Sequence, residues 1–115
     1  MIDGLRQALT DQAKAGKPIA YGELARRLAL RPPNTIHRLT EALERLMEED
    51  AAAERPLLAA LAASKTGPGL PGPGFFLKAQ TLGLFSGDAR GEEAAAFYAE
   101  ELRRAISYYR AEAED

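Results

Sequence analysis

A chain of 115 residues without cysteine and with a single histidine limits the classes of function that the protein can have. The length fits one domain, which we assign to residues 1–115. The lack of cysteine excludes disulfides, thiolate metal sites and a cysteine nucleophile, and one histidine cannot build a multi-histidine metal centre. The chain also carries no catalytic signature, so we expect no enzyme activity, no catalytic residues, no metal and no cofactor. No apolar run approaches the length of a membrane span, so we expect a cytoplasmic protein without a membrane partner.

The formal net charge of −2 is distributed unevenly along the chain. Residues 14–45 hold seven basic and three acidic residues, whereas residues 88–115 hold four arginines and eight acids. Because binding responds to the local field at a contact surface, the basic region is compatible with a nucleic-acid partner despite the negative total. The alternative is that solvated helices simply differ in charge.

The first predicted helix covers residues 3–15. Asp3 is a candidate N-cap, and Gly16 followed closely by Pro18 is a strong stop signal. Residues 18–20 then read as a short extended segment, in the place where a winged helix has its first small strand.

A second helix begins at Tyr21, and its apolar side chains fall on one face: Tyr21, Leu24, Ala25 and Leu28. The Pro32-Pro33 pair ends this helix, because the residue before a proline is disfavoured in helical conformation. Asn34 is a favourable N-cap residue for the helix that follows.

The third predicted helix keeps a 3.6-residue period over about three turns. Its apolar face consists of Ile36, Leu39, Leu43, Leu46 and Met47, and its outer face of Asn34, His37, Arg38, Glu41 and Arg45. A short helix, a turn and a longer helix with polar residues at its start form the outline of a helix-turn-helix.

An acidic run at residues 48–50 follows, although a helix dipole favours cations near the C-terminal end. Either the helix continues through residues 51–53, or the acids pair with a basic neighbour such as Arg55. A metal-binding or catalytic role has no second acidic cluster to support it.

Residues 57–63 and 75–79 read as two strands that flank a loop rich in glycine and proline. Such a hairpin behind a helix-turn-helix is a wing, although alanine is a poor strand former. We expect residues 65–74 to be exposed and mobile, because prolines and glycines do not maintain a regular ladder.

Residues 67–72 match the G-x-G-x-x-G pattern of dinucleotide-binding loops. That motif needs a helix to follow it, whereas residues 75–77 read as a strand. The prolines at 68, 71 and 73 also remove backbone N–H donors that a phosphate cradle would use. We therefore predict no dinucleotide site here.

The last predicted helix spans residues 91–111, with acids in its first turn and arginines toward its end, as the helix dipole favours. We treat residues 1–84 as a winged-helix unit and residues 88–115 as this C-terminal helix. Its apolar stripe packs either on its own domain or on a second copy, and we expect a homodimer seam at Tyr98, Leu102, Ile106 and Tyr109.

Residues 18–79 resemble a winged helix-turn-helix. The string from Pro18 to Ala25, PIAYGELA, is similar to the opening of that unit in the C-terminal domain of alkylguanine-DNA alkyltransferases and alkyltransferase-like proteins. The chain lacks their Pro-Cys-His-Arg or Pro-Trp-His-Arg segment, so the resemblance implies the fold and not alkyl transfer. Tyr-Gly-Glu-Leu-Ala, Arg-Pro-Leu-Leu and Gly-Phe-Phe also resemble a set of small bacterial proteins, from which no function carries over.

These observations predict an α+β, mainly helical winged helix-turn-helix with a small hairpin wing and a long C-terminal helix. The favoured function is DNA binding, as a transcriptional regulator or architectural factor, with these contact residues: Arg26, Arg27, Asn34, Thr35, His37, Arg38, Arg45 and Lys65. The alternative is a protein-interaction module that uses Phe75, Phe76 or the last helix. A small enzyme built from Tyr21, His37 and Asp50 is the least favoured hypothesis.

Overall fold

The computed structural model describes residues 2–64 and 69–113 and is mainly helical, with one small sheet, as the sequence predicts. In chain order the elements are α1 (Leu5–Ala15), β1 (Ile19–Ala20), α2 (Tyr21–Arg27), α3 (Thr35–Ala52), a 3-10 helix (Leu58–Leu61), β2 (Ala62–Ala63), α4 (Pro73–Thr81) and α5 (Glu92–Ala113). One hydrophobic core joins α5 to α1 and to the 3-10 helix, so the last helix belongs to the same packed unit as the rest.

Glycines set both ends of α1. Gly16 ends the helix as predicted, in the left-handed region at φ 78°, and its N–H donates to the carbonyls of Gln12 and Ala13. The start differs from the prediction, because Gly4 and not Asp3 occupies the N-cap position, at φ 81°. Only glycine adopts that backbone conformation without a steric cost.

The centre of the molecule is the segment from residue 56 to residue 63, which is buried throughout. Leu57, Leu58 and Leu61 are at most 1% exposed, and α1, α3 and α5 pack around the 3-10 helix. A buried segment without a regular ladder must find other partners for its backbone polar groups. Side chains of α3 and α5 supply them.

Two carboxylates accept the buried N–H groups of this segment. Glu101 Oε2 accepts from the N–H of Leu57 at 2.7 Å, and Asp50 Oδ2 accepts from the N–H of Leu58 at 3.1 Å. Both side chains are buried, and Arg104 donates to the second oxygen of Glu101 at 2.7 Å. The carboxylates therefore act as caps for a chain segment that has no helix or sheet partner there.

Two tyrosines of α5 donate to carbonyls of the same segment. The hydroxyl of Tyr98 lies 2.9 Å from the oxygen of Ala60, and that of Tyr109 lies 2.7 Å from the oxygen of Pro56. Burial raises the pKa of both phenols well above the ordinary value. They remain neutral donors throughout the physiological pH range.

The predicted β-hairpin wing is wrong for the described residues. Residues 75–79, predicted as a strand, lie in α4, which begins with Pro73 in its first turn, where proline is well tolerated. Of residues 57–63, predicted as the other strand, only the last two form a strand, and β2 pairs with β1 in parallel, Ile19 opposite Ala62. Phe76 and Ala79 are at most 1% exposed and lie three residues apart on one face of α4. The buried residues thus follow the period of a helix and not the alternation of a strand.

Candidate nucleic-acid interface

The outer face of α3 is exposed as the sequence predicts. Its exposed side chains are Asn34, His37, Arg38, Glu41 and Arg45, and Thr35 is half-buried. The opposite face buries Leu39, Ala42, Leu43, Leu46 and Met47 in the core. Packing thus fixes which polar side chains α3 presents to solvent.

Ile36 departs from the prediction that it joins the core. Its side chain is 44% exposed, although the helical period places it with Leu39 and Leu43. It lies in the first turn of α3 and borders a groove with Tyr21 and Phe75. An apolar side chain therefore stands beside the polar residues that begin the helix.

A seven-residue turn, residues 28–34, separates α2 from α3. It is longer than the three or four residues usual in a helix-turn-helix. Asn34 occupies the N-cap position of α3 as predicted, but at φ 57° and without a side-chain capping bond. The guanidinium of Arg38 instead reaches back and donates to the carbonyl of Arg31, which ties the first turn of α3 to the loop.

Two acids near this surface, Glu23 and Glu41, contact a neighbour on their own helix, whereas Glu44 forms no ion pair among the described residues. His37 Nε2 lies 3.0 Å from Glu41 Oε1, one turn apart on α3. Arg27 lies 3.8 Å from Glu23 and donates to Gln12 of α1 at 3.2 Å. Arg27 is therefore turned toward α1 and is not a free cation.

Four arginines in the same region form no ion pair among the described residues: Arg26, Arg31, Arg38 and Arg45. Arg45 is nevertheless close enough to Glu48 to contribute to the lowered pKa of that carboxyl. Arg38 and Arg45 border one shallow depression on α3, with Glu41 between them. Of the predicted contact residues, Lys65 lies outside the described part of the chain.

The segment that precedes α4 is less exposed than predicted. Pro71 is buried and Leu70 packs against the core. The carbonyl of Leu70 accepts from the N–H of Ser64, and the N–H of Gly72 donates to the hydroxyl of Tyr21 at 2.9 Å. These bonds attach the described part of the predicted wing loop to the body of the protein.

The strand predicted after the G-x-G-x-x-G match is wrong, since α4 begins at Pro73. A carboxylate nevertheless disfavours a dinucleotide at this place. Glu44 Oε2 would lie 3.5 Å from a Cβ at Gly74, so a carboxylate already stands at the N-terminus of α4. That charge opposes a pyrophosphate at the same place.

The residues expected to form a dimer seam divide into two pairs. Tyr98 and Tyr109 are 5% and 4% exposed and serve the core of their own chain, so their assignment to a seam is wrong in this fold. Leu102 and Ile106 are only partly buried against that core. They remain the part of the predicted seam that a second copy could reach.

The acidic run at the end of α3 forms ion pairs, and α3 also continues through Ala52, so both readings of the sequence hold. Glu48 pairs with Lys78 of α4, a hydrogen bond that lowers the pKa of the carboxyl, and Glu49 pairs with Arg6 at 3.0 Å. Asp50 pairs with Arg6 at 3.1 Å and with Arg55 at 3.0 Å. Over residues 2–64 and 69–113, no group of three or more histidines and acids is placed to hold a metal ion.

No family model, curated protein or solved structure matches this chain. Among the described helices, none is both long enough and apolar enough to cross a membrane.

Proposed function

We propose that the protein binds DNA through the N-terminal half of α3, as a helix-turn-helix whose hairpin wing is absent from residues 57–63 and 75–79. The observation that carries the proposal is the combination of an exposed polar helix face with unpaired cations. Arg26, Arg31 and Arg38 form no ion pair in the described chain, whereas Glu23 contacts Arg27 and Glu41 contacts His37 on their own helices. This arrangement leaves a locally positive surface on a protein of negative total charge.

The dimensions of α3 suit the major groove. Its 18 residues give a helix about 27 Å long, and a groove about 12 Å wide admits such a helix. Asn34 and Arg38 are of the types that pair with adenine and guanine edges, and Ile36 is of a type that contacts a thymine methyl. Arg26 and Arg45 are suited to phosphates.

Glu41 acts against this binding, because a carboxylate repels phosphate. His37 Nε2 lies 3.0 Å from Glu41 Oε1, so one carboxylate oxygen already has a neighbour on the same helix. The carboxylate of Glu41 is also of the type that accepts a hydrogen bond from a cytosine amino group.

Fluorescence anisotropy with labelled duplexes tests the proposal. Arg38→Ala should cost roughly 1–3 kcal/mol on a preferred site, and Arg26→Ala should weaken binding to all sequences and lower the salt slope by about one. Arg103→Ala is the matched control, because Arg103 is an exposed arginine on α5 that pairs with Glu100. Absence of binding to any duplex at low salt would refute DNA binding.

A second candidate is a module that binds a protein partner without DNA. The two phenylalanines expected to make that contact are buried, Phe75 at 7% and Phe76 at 1% exposed, so that assignment is wrong. The observation that favours this candidate is Ile36, an apolar side chain 44% exposed on the α3 surface. If Ile36→Ala abolishes binding of a protein partner and Arg38→Ala leaves that binding unchanged, the protein-interaction module is favoured over DNA binding.

The proposal extends to the location and the oligomeric state of the protein. We place the protein in the cytoplasm, as a transcriptional regulator or architectural factor, and as a homodimer through the half-buried pair Leu102 and Ile106. A dimer would present two copies of α3 to successive turns of a duplex.

A further inference from the structure

A groove of about 200 Å³ lies between the start of α2, one side of α3 and the start of α4. Its wall is largely apolar and includes Tyr21, Ile36, Leu43, Met47 and Phe75, with Glu44 at one side. Most of these residues are fixed by the core, since Leu43, Met47 and Phe75 are no more than 7% exposed. The groove is therefore formed without a ligand and does not need to open.

The volume sets the size of an occupant. An apolar cavity of roughly 150 Å³ is enough for benzene. The groove therefore has room for one aromatic ring and about two further carbon atoms, and too little for a helix of a partner protein. Ile36, which is 44% exposed, is the apolar side chain that such a ring would cover.

The polar groups at the groove favour a cation. Among the described lining residues Glu44 is the one with a charge, and it forms no ion pair within the described chain. Its Oε2 lies beside the first turn of α4, 3.5 Å from the position that a Cβ at Gly74 would take.

Tyr21 supplies a second polar group. Its hydroxyl accepts from the N–H of Gly72 at 2.9 Å, which leaves the phenolic proton to donate. Burial raises the pKa of this phenol, although the bond from Gly72 acts in the opposite direction. The groove is thus lined by one charged residue, Glu44, and by two hydroxyl residues, of which Thr40 already donates its proton to the carbonyl of His37.

We propose that this groove binds a small arylalkyl ammonium compound, with its ring against Ile36, Leu43 and Phe75 and its ammonium group at Glu44. Burial of the neutral ring against the apolar wall contributes binding free energy. The Glu44 carboxylate then distinguishes ring compounds by the charge of the group at the end opposite the ring. The groove exists whether or not the protein binds DNA, although Ile36 belongs both to the groove and to the proposed DNA-binding face.

The test is a titration of the ¹⁵N-labelled full chain with three ligands of similar shape: 2-phenylethylamine, 2-phenylethanol and 3-phenylpropionate. The amine should produce saturable amide shifts at Tyr21, Thr40 and Gly72. It should bind about tenfold more tightly than the carboxylate, with the alcohol between them, because the ion pair is partly exposed. Glu44→Gln should remove the difference between the amine and the alcohol.

Filled-groove variants separate the groove from the rest of the surface. Thr40→Phe and Gly74→Leu should both abolish the shifts from all three ligands, and a side chain at position 74 meets only Glu44 at an ordinary 3.5 Å contact. Thr81→Phe is the matched control, because Thr81, like Thr40, donates its hydroxyl to a carbonyl of its own helix but does not line the groove. Equal affinity of the three ligands, an unchanged preference in Glu44→Gln, or no saturable shift at tens of millimolar would each overturn the proposal.

Discussion

Replacing Asp50 with alanine should destabilise the protein more than any nearby charge substitution. The carboxylate is fully buried and accepts from the N–H of Leu58, while Arg6 and Arg55 donate to its other oxygen. An unsatisfied buried N–H costs about 1–3 kcal/mol. Each arginine is about a third exposed and can turn toward water, so its lost pair adds only about 0.2–1 kcal/mol.

The expected loss is therefore about 3 kcal/mol, near the lower end of the range for breaking a buried ion pair. Urea unfolding followed by circular dichroism measures it. Glu49→Ala is the matched control, because Glu49 is the next residue, pairs with the same Arg6 at 3.0 Å and is 47% exposed. It should cost less than about 1 kcal/mol. Asp50→Asn keeps an acceptor for Leu58 and should lie between the two. If Asp50→Ala costs no more than Glu49→Ala, the capping role of Asp50 is wrong.

Three further outcomes follow from the packing. Burial raises the pKa of Tyr98 and Tyr109, so the stability that these phenols confer is complete below the ordinary phenol pKa near 10. That stability is lost as pH rises through the folded value, by up to about 1.4 kcal/mol per pH unit for each tyrosine. In the Tyr→Phe variants the free energy of unfolding should therefore fall less steeply with pH in the alkaline range. Charged replacements at Leu102 and Ile106 should lower the melting temperature as well as any self-association, because both side chains pack partly on the core; a wild type that sediments as a monomer at high concentration would exclude the dimer. Gly16→Ala should cost about 1 kcal/mol in urea unfolding, because φ is 78° and the new Cβ would lie 2.6 Å from the Arg110 guanidinium; an unchanged midpoint would contradict this.

Local sequence signals predicted the elements that depend on local chemistry. Gly16 ends α1, and the 3.6-residue period identified the buried face of α3. By contrast, α2 ends at Arg27, before the Pro32-Pro33 pair that was expected to end it, and Ala29 already has φ 57°. The exposed face of α3 followed from that period, because burying one side of a helix directs the other side to solvent. The same period wrongly predicted Ile36 to be buried, because this residue lies in the first turn of α3, where the groove leaves its side chain partly exposed.

Long-range partners could not be read from the sequence. Residues 57–63 contain only leucine and alanine, which have no period that separates a strand from a buried 3-10 segment. The side chains that hydrogen-bond to the buried backbone of this segment are distant in sequence. Glu101 is 44 residues from Leu57, and Tyr98 is 38 residues from Ala60. Proline before Gly-Phe-Phe was the one available signal for α4, because proline is favoured in a first helical turn.

The measurement that tests DNA binding most directly is a ¹⁵N–¹H titration of the protein with a mixed-sequence duplex at low salt. We expect amide shifts concentrated between Asn34 and Arg45 and at Arg26, with little change along the outer face of α5. The shifts should diminish as salt is raised, since released counterions drive the binding of arginines to phosphate. Shifts confined to α5, or no shifts at any salt concentration, would contradict the assignment of α3 as the DNA-binding helix.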